Sequence, residues 1–280
     1  MLHTKLIKTL VAEALAEDIG EGDITAKLIP SGKMVTARVI TREEMIVCGR
    51  VFVDETFSQV DDQLEMKWEV SEAEAVAAGQ ILFWVSGRAQ SILTAERTAL
   101  NFLQLLSGTA TTTHQYVEQL KGTHTQLLDT RKTIPLFRLA QKYAVTCGGG
   151  VNHRKGLYDA FLIKENHILA CGSITAAIGQ ARHLAPGRTV EVEVENLTQL
   201  EEAIHAKADI VMLDNFSLET LPQAVSLNQG RVKLEVSGNV SLNNIRAIAQ
   251  TGVDFISVGS LTKHLRAIDL SLRIVEAGSP

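Results

Sequence analysis

The sequence is poor in aromatic side chains (5%), has only three cysteines, and carries more acid than base, for a formal net charge of −5 over 280 residues. An acidic chain with few rings lacks the basic surface that phosphate backbones need and the platforms on which bases stack, so nucleic acid is not an expected partner. Cys48, Cys147 and Cys171 are odd in number, far apart and without metal-type spacing, which disfavours a disulfide framework; a reducing cytoplasm fits best. No run of about 18 apolar residues occurs, so no membrane partner is expected. The opening stretch breaks its apolar pattern with Lys5, Lys8, Glu13 and Glu17, and reads as an amphipathic helix, not a signal peptide.

The chain has 45% hydrophobic residues, enough to bury a core in one large barrel or two ordinary domains. Although the protein is acidic, residues 131–167 hold Arg131, Lys132, Arg138, Lys142, His153, Arg154, Lys155, Lys164 and His167 against only Asp159 and Glu165. A solvated basic face is the bland explanation for such a cluster. Several of these cations, however, directly follow apolar runs with the character of buried strands.

From about residue 125 a unit repeats: a short run rich in Val, Ile and Leu, a polar tip, then about a dozen residues with helical periodicity. The runs are TQLLDT (125–130), AFLIKEN (160–166), TVEVEVEN (189–196), DIVMLDN (209–215), VKLEVSG (232–238) and DFISVGS (254–260). Ser173, Asn196, Ser217 and Ser241 stand where helix N-caps are expected. This succession predicts a parallel sheet, as an incomplete or irregular barrel or as an open doubly wound sheet; both bind ligands at strand C-termini. Residues before 110 lack the alternation. A helix over about 4–17 and strands in MVTARVITR, QLEMKWEV and QILFWVSG predict a separate α+β domain with a mainly antiparallel sheet. A helical stretch at about 95–106 leads to SGTATTT as the junction. The expected division is therefore 1–108 and 109–280.

The tips carry the chemistry. Thr130, Arg131 and Lys132 leave one strand, His153 and Arg154 follow a glycine run, and Lys164 ends the next strand. Together they suit a ligand with several negative charges, Arg as a bidentate fork and Lys as a compact point charge. In TVEVEVEN the glutamates 191, 193 and 195 share one strand face, where a covered parallel sheet would be apolar. Either that face is wet or the acids are used. Glu193 and Asp214, at neighbouring strand ends, form a carboxylate pair able to hold Mg²⁺ and sugar hydroxyls. Ser237, Gly238, Gly259 and Ser260 close the two late strands, where small residues let backbone N–H groups approach a phosphate.

LLDTRKTIP, KYAVTCGGGVNHRKGLYDAFLIKENHI, VEVEVENL, IVMLDNF, LEVSGNV and GVDFISVGSLTKH, with EDIGEGDIT and AERTALNFLQLLSG before them, resemble the quinolinate phosphoribosyltransferase family in order along nearly the whole chain. The resemblance implies an N-terminal α/β sandwich domain and an incomplete, about seven-stranded α/β barrel. It implies transfer of phosphoribose from phosphoribosyl pyrophosphate to quinolinate, with loss of carbon dioxide and pyrophosphate, using Mg²⁺. By the same resemblance Arg97, Arg131, His153 and Arg154 hold the quinolinate carboxylates, and Lys132 and Lys164 sit between substrate and pyrophosphate. Glu193 and Asp214 would contact ribose hydroxyls and Mg²⁺, with Ser237, Gly238, Gly259 and Ser260 around the 5′-phosphate. It also implies a homodimer in which Arg97 serves the partner's site. Pro135-Leu136-Phe137-Arg138 stands where relatives often have Pro-Gly-Leu-Arg. The competing readings are a phosphoribosyltransferase acting on nicotinate and a non-catalytic phosphate-binding barrel.

Overall fold

The computed structural model describes residues 3–275. The elements run α1 (Thr4–Ile19), β1 (Met34–Thr41), β2 (Met45–Ile46), α2 (Arg50–Val60), β3 (Glu65–Trp68), β4 (Ala75–Val76), β5 (Ile81–Arg88) and α3 (Ala89–Leu120). They continue with β6 (Gln126–Leu128), α4 (Arg138–Cys147), β7 (Phe161–Ile163), α5 (Glu165–Cys171), α6 (Ile174–Leu184), β8 (Val190–Val194) and α7 (Leu197–His205). The last are β9 (Ile210–Asp214), α8 (Leu221–Asn228), β10 (Lys233–Ser237), α9 (Ile245–Ala249), β11 (Phe255–Ser257), α10 (Ser260–Lys263) and β12 (Leu270–Val275). Two compact units result: one of residues up to Thr112 with Leu139–Gly148 and the segment from His264 onward, the other of Thr113–Arg138 and Gly149–Lys263.

The first unit holds an antiparallel sheet in the order β12-β1-β5-β3. Alternation in β1 buries Ala37, Val39 and Thr41. Leu82, Phe83 and Val85 of β5 pack with Phe57, Ile92, Leu100 and Leu103 into one apolar cluster. Trp68 lies against Phe83 with ring centroids 4.5 Å apart and carries the Arg50 guanidinium on its ring at 4.7 Å. The stretch SGTATTT, expected as the junction, is helical and lies inside the 32-residue α3, and the opening segment of the first unit ends within it at Thr112. Its glycine serves close packing: a Cβ on Gly108 would stand 2.1 Å from the Arg266 carbonyl oxygen, in the returning segment that leads to β12.

The second unit is an incomplete α/β barrel. Six parallel strands follow the order β6-β11-β10-β9-β8-β7, one for each of the six runs. Val151 pairs in parallel with Leu128 as a single bridge beyond β6, a one-residue seventh strand. No apolar run marks it, since it follows Gly148–Gly150 directly. Val190, Val192, Val194, Val211, Leu213, Leu234 and Val236 are buried, while the alternate glutamates of β8 face the other way. Of the expected caps, Ser173 accepts from Ala176 N–H and Asn196 from Gln199 N–H, both at 3.0 Å. Ser217 and Ser241 stand a turn earlier than expected, with Thr220 and Asn244 at the cap positions.

Candidate active site

The C-terminal ends of the barrel strands surround a cavity of about 740 Å³. Thr130, Arg131, Lys132, His153, Arg154, Lys164, Glu193, Asp214, Ser237 and Gly238 all line it, so ten of the expected residues meet at one place. Leu162, Met212, Asn215, Glu235, Asn239, Ser257 and Lys263 complete the wall. The strand-end logic explains the convergence: a parallel barrel delivers every tip to the same rim.

Local hydrogen bonds fix the tips. Buried Asp129 accepts from His153 N–H (2.9 Å) and Asn152 Nδ2 (2.7 Å), seating the segment that carries His153 and Arg154. Lys132 N–H donates to Thr130 Oγ1 at 3.0 Å, and Thr262 Oγ1 donates to the Lys132 carbonyl at 2.8 Å. The Lys132 side chain is exposed and lines the cavity.

Arg131 and Arg154 are the clearest anion-binding feature of the cavity. The Nε of each is buried with no hydrogen-bond partner. Burial, then the neighbouring Arg131, lowers the Arg154 pKa. Two guanidiniums held together with buried donors unsatisfied are costly unless a ligand accepts from them. A carboxylate or phosphate oxygen fits that need.

The acids divide into two sets. Glu193 forms an ion pair with Lys164 Nζ, and Asp214 accepts from Asn215 Nδ2 at 2.9 Å. Glu193 pairs in register with Met212, so Asp214 stands two residues further along the adjacent strand, on the same face. Hard carboxylate oxygens at a cavity wall fit Mg²⁺, which keeps water and substrate oxygens as its other ligands. Deeper lie Glu191 and Glu235, buried at 3% and 0% exposure. His153 Nε2 stands 2.7 Å from Glu191 Oε2 and 3.5 Å from Glu235 Oε2. Burial pushes the Glu191 carboxyl up to about 7, and burial with the nearby Glu191 charge pushes Glu235 up to about 8. Glu235 was not singled out from the sequence; its signal is a lone acid between Leu234 and Val236 in a buried strand.

A raised carboxyl pKa means that the folded protein holds a proton the unfolded chain has released. Its stabilising contribution is complete below the ordinary pKa near 4.5 and is lost as pH rises through about 8. Glu235→Gln, isosteric with the neutral acid, is expected to melt like wild type at pH 5 and to be more stable at pH 9, by on the order of 1–3 kcal/mol. Melts across that range check this; parallel curves would show that Glu235 stays ionised.

Small residues follow β10 and β11. Gly238 has φ 96°, and a Cβ there would stand 2.2 Å from Asn215 Oδ1. A Cβ on Gly259 would meet Lys132 Cδ at 3.0 Å, and Ser260 Oγ beside it is buried without a partner. Gly259 and Ser260 adjoin the cavity wall through Lys132 and are not themselves lining residues. Arg138 braces the loop: its Nε donates to Thr133 Oγ1 (3.0 Å) and its Nη1 to the Lys155 carbonyl (3.3 Å). Leu136, exposed, has φ 63°, a conformation glycine adopts freely and leucine at about 1–2 kcal/mol. Arg97 is exposed on α3 in the first unit.

Cation tips, paired carboxylates and a small-residue cradle on one barrel rim define a protein that handles a polyanionic ligand containing phosphate. Comparison makes this particular. The C-terminal domain model of quinolinate phosphoribosyl transferase matches residues 109–273 and its N-terminal domain model residues 23–107, and the chain belongs to this family. A Mycobacterium leprae relative named nicotinate-nucleotide pyrophosphorylase (carboxylating) is 40% identical over 94% of this chain and 95% of its own. A Nicotiana tabacum relative named quinolinate phosphoribosyltransferase (decarboxylating) 1b is 38% identical over 96% of this chain and 82% of its own. The solved structure of the nicotinate-nucleotide pyrophosphorylase from Francisella tularensis is 56% identical over 98% of both chains, with a TM-score of 0.97.

Proposed function

We infer that this chain transfers the phosphoribosyl group of phosphoribosyl pyrophosphate to quinolinate, releasing pyrophosphate and carbon dioxide and giving nicotinate mononucleotide for NAD biosynthesis. The observation that carries the reading is the Arg131–Arg154 pair, whose buried Nε donors suit an anion, lining the same cavity as Glu193 and Asp214. Pure anion binding would not want those acids, and a monocarboxylate does not need so much positive charge.

The chain's residues divide the work. Arg131, Arg154 and His153 hold the two quinolinate carboxylates, with Thr130 beside them. This sets the pyridine nitrogen toward C1 of the ribose; holding two reactants in attack geometry removes much of the entropic barrier. As the C1–oxygen bond to pyrophosphate breaks, positive charge develops on the sugar, and the carboxylates of Glu193 and Asp214 stabilise it while binding ribose hydroxyls. Lys132 and Lys164 offset the charge gathering on the departing pyrophosphate. Asp214 and Glu193 would hold Mg²⁺, which would supply further charge neutralisation. The cradle of Ser237, Gly238, Gly259 and Ser260 takes the 5′-phosphate through backbone N–H groups. The nitrogen forms its bond to C1, the ring becomes cationic, and the carbon–carbon bond to the adjacent carboxylate then breaks. Carbon dioxide leaves, and the electron pair on the ring carbon takes up a proton.

We also propose a homodimer with shared sites, in which Arg97 reaches the partner's quinolinate. Its exposure on α3, and the apolar Ile24, Leu28, Met34 and Val51 exposed in the same unit, support a partner surface there. Residues 1–108 and 109–280 are proposed as its two domains, matching where the two domain models meet.

Calorimetric titration of quinolinate without Mg²⁺ tests the division of labour. Arg131→Ala and Arg154→Ala are expected to weaken binding at least tenfold, about 1.4 kcal/mol or more. Glu193→Gln and Asp214→Asn are expected to leave it nearly intact while changing the Mg²⁺ dependence of turnover. Collapse of quinolinate affinity in the acid variants, with an unchanged Mg²⁺ response, would reverse the assignment.

A further inference from the structure

Cys48, Glu72 and Cys147, which have no motif spacing, come together in the first unit. One ligand atom of each lies within 4.8 Å of the other two. Cys48 follows β2 and is fully buried. Its backbone N–H donates to Ser107 Oγ at 3.0 Å, and that hydroxyl donates back to the Cys48 carbonyl at 3.2 Å, so α3 clamps the residue. Glu72 lies between β3 and β4. Its Oε1 accepts from Gly49 N–H (2.8 Å) and its Oε2 from Arg50 N–H (3.2 Å), at the start of α2. Cys147 is the last residue of α4.

We propose that Cys48, Glu72 and Cys147 form a binding site for a soft divalent cation of the Zn²⁺ type, separate from the cavity at the barrel rim. Thiolate sulfur selects such ions over Mg²⁺ or Ca²⁺, and a carboxylate oxygen is a common third ligand. Ligand atoms this close to one another can converge on one ion at about 2.0–2.3 Å, with water in the fourth position. Glu72 already has the outer hydrogen bonds that orient a ligating carboxylate, and each of its oxygens keeps a lone pair. The balance is simple: the cation enters, both thiols lose their protons to solvent, and two sulfur–metal bonds and one oxygen–metal bond form with no change of oxidation state. The ion would tie together the β2–α2 connection, the β3–β4 turn and the end of α4.

The test uses the full chain carrying Cys171→Ser, because Cys171 is exposed and would compete as a thiol. The protein is reduced, stripped with chelator, and dialysed against Zn²⁺ or Co²⁺. One ion per chain, release of about two protons, a thiolate-to-cobalt charge-transfer absorption and a rise of several degrees in Tm with Zn²⁺ are expected. Glu72→Gln should weaken binding about 10- to 100-fold and keep the sulfur absorption. The Cys48→Ser/Cys147→Ser pair should lose both absorption and Tm rise. The His153–Glu191–Glu235 group offers no sulfur, so the absorption separates the two places. Equal Zn²⁺ binding by the double serine variant, or reduced protein that binds no metal and in air only forms a Cys48–Cys147 disulfide, overturns the proposal.

Discussion

Lys132→Ala and Lys164→Ala are each expected to lower turnover by on the order of 10²–10³ while the unliganded protein melts within a few degrees of wild type. The rate term follows from position: both side chains line the cavity, and a preorganised charge lost from a developing anion costs that much. The stability term follows from exposure. Lys132 is exposed, and the Lys164 side chain keeps 42% of its surface in water, so its pair with Glu193 is screened and contributes about 0–1 kcal/mol to folding. Thermal melts beside steady-state rates check both halves. A large fall in Tm with activity lost in proportion would make the lysines structural.

Mixing two inactive variants is expected to restore activity. Arg97 sits on α3 in the first unit, whereas the cavity residues come from the second. If Arg97 completes the partner's pocket, a dimer of one Arg97→Ala chain and one Lys132→Ala chain has one doubly damaged site and one intact site, because a two-fold dimer has two equivalent sites. Random exchange makes about half the dimers mixed, so recovery should approach roughly a quarter of wild-type activity. Subunit exchange is verified with differently tagged chains in native mass spectrometry. Exchange without recovery would confine Arg97 to its own chain or remove it from the site.

Much of the site was legible because buried parallel strands leave a strong mark. A continuous apolar run followed by Arg131-Lys132 or by Lys164 states both the strand and its functional end. The alternation at Glu191, Glu193 and Glu195 marks one strand face as polar, either wet or used; Glu191 is buried, Glu193 lines the cavity and Glu195 is exposed. Long-range pairing was less visible. Val151 makes its strand contact as one residue after three glycines, with no run to announce it. The helix runs on through SGTATTT because the missing Cβ of Gly108 makes room for the Arg266 carbonyl, a contact that intrinsic propensity does not register. The return of β12 to β1 depends on which core an amphipathic strand finds, and the local pattern is the same for either. Glu235 was hidden because one acid in VKLEVSG looks like an outward residue until its neighbours on β8 and His153 are placed. Cys48 and Cys147 lie 99 positions apart in sequence, and only the folding of the first unit brings them together. Leu136 shows the reverse case: its departure from the relatives' glycine was visible in the sequence, and the φ of 63° shows what that departure strains.

The most direct test of the central claim follows carbon. Purified protein is incubated with Mg²⁺, phosphoribosyl pyrophosphate and either quinolinate or nicotinate, and carbon dioxide, pyrophosphate and nucleotide are measured together. Equal amounts of all three from quinolinate, and no nucleotide from nicotinate, are expected. Nucleotide and pyrophosphate from nicotinate, with no carbon dioxide from quinolinate, would contradict the account.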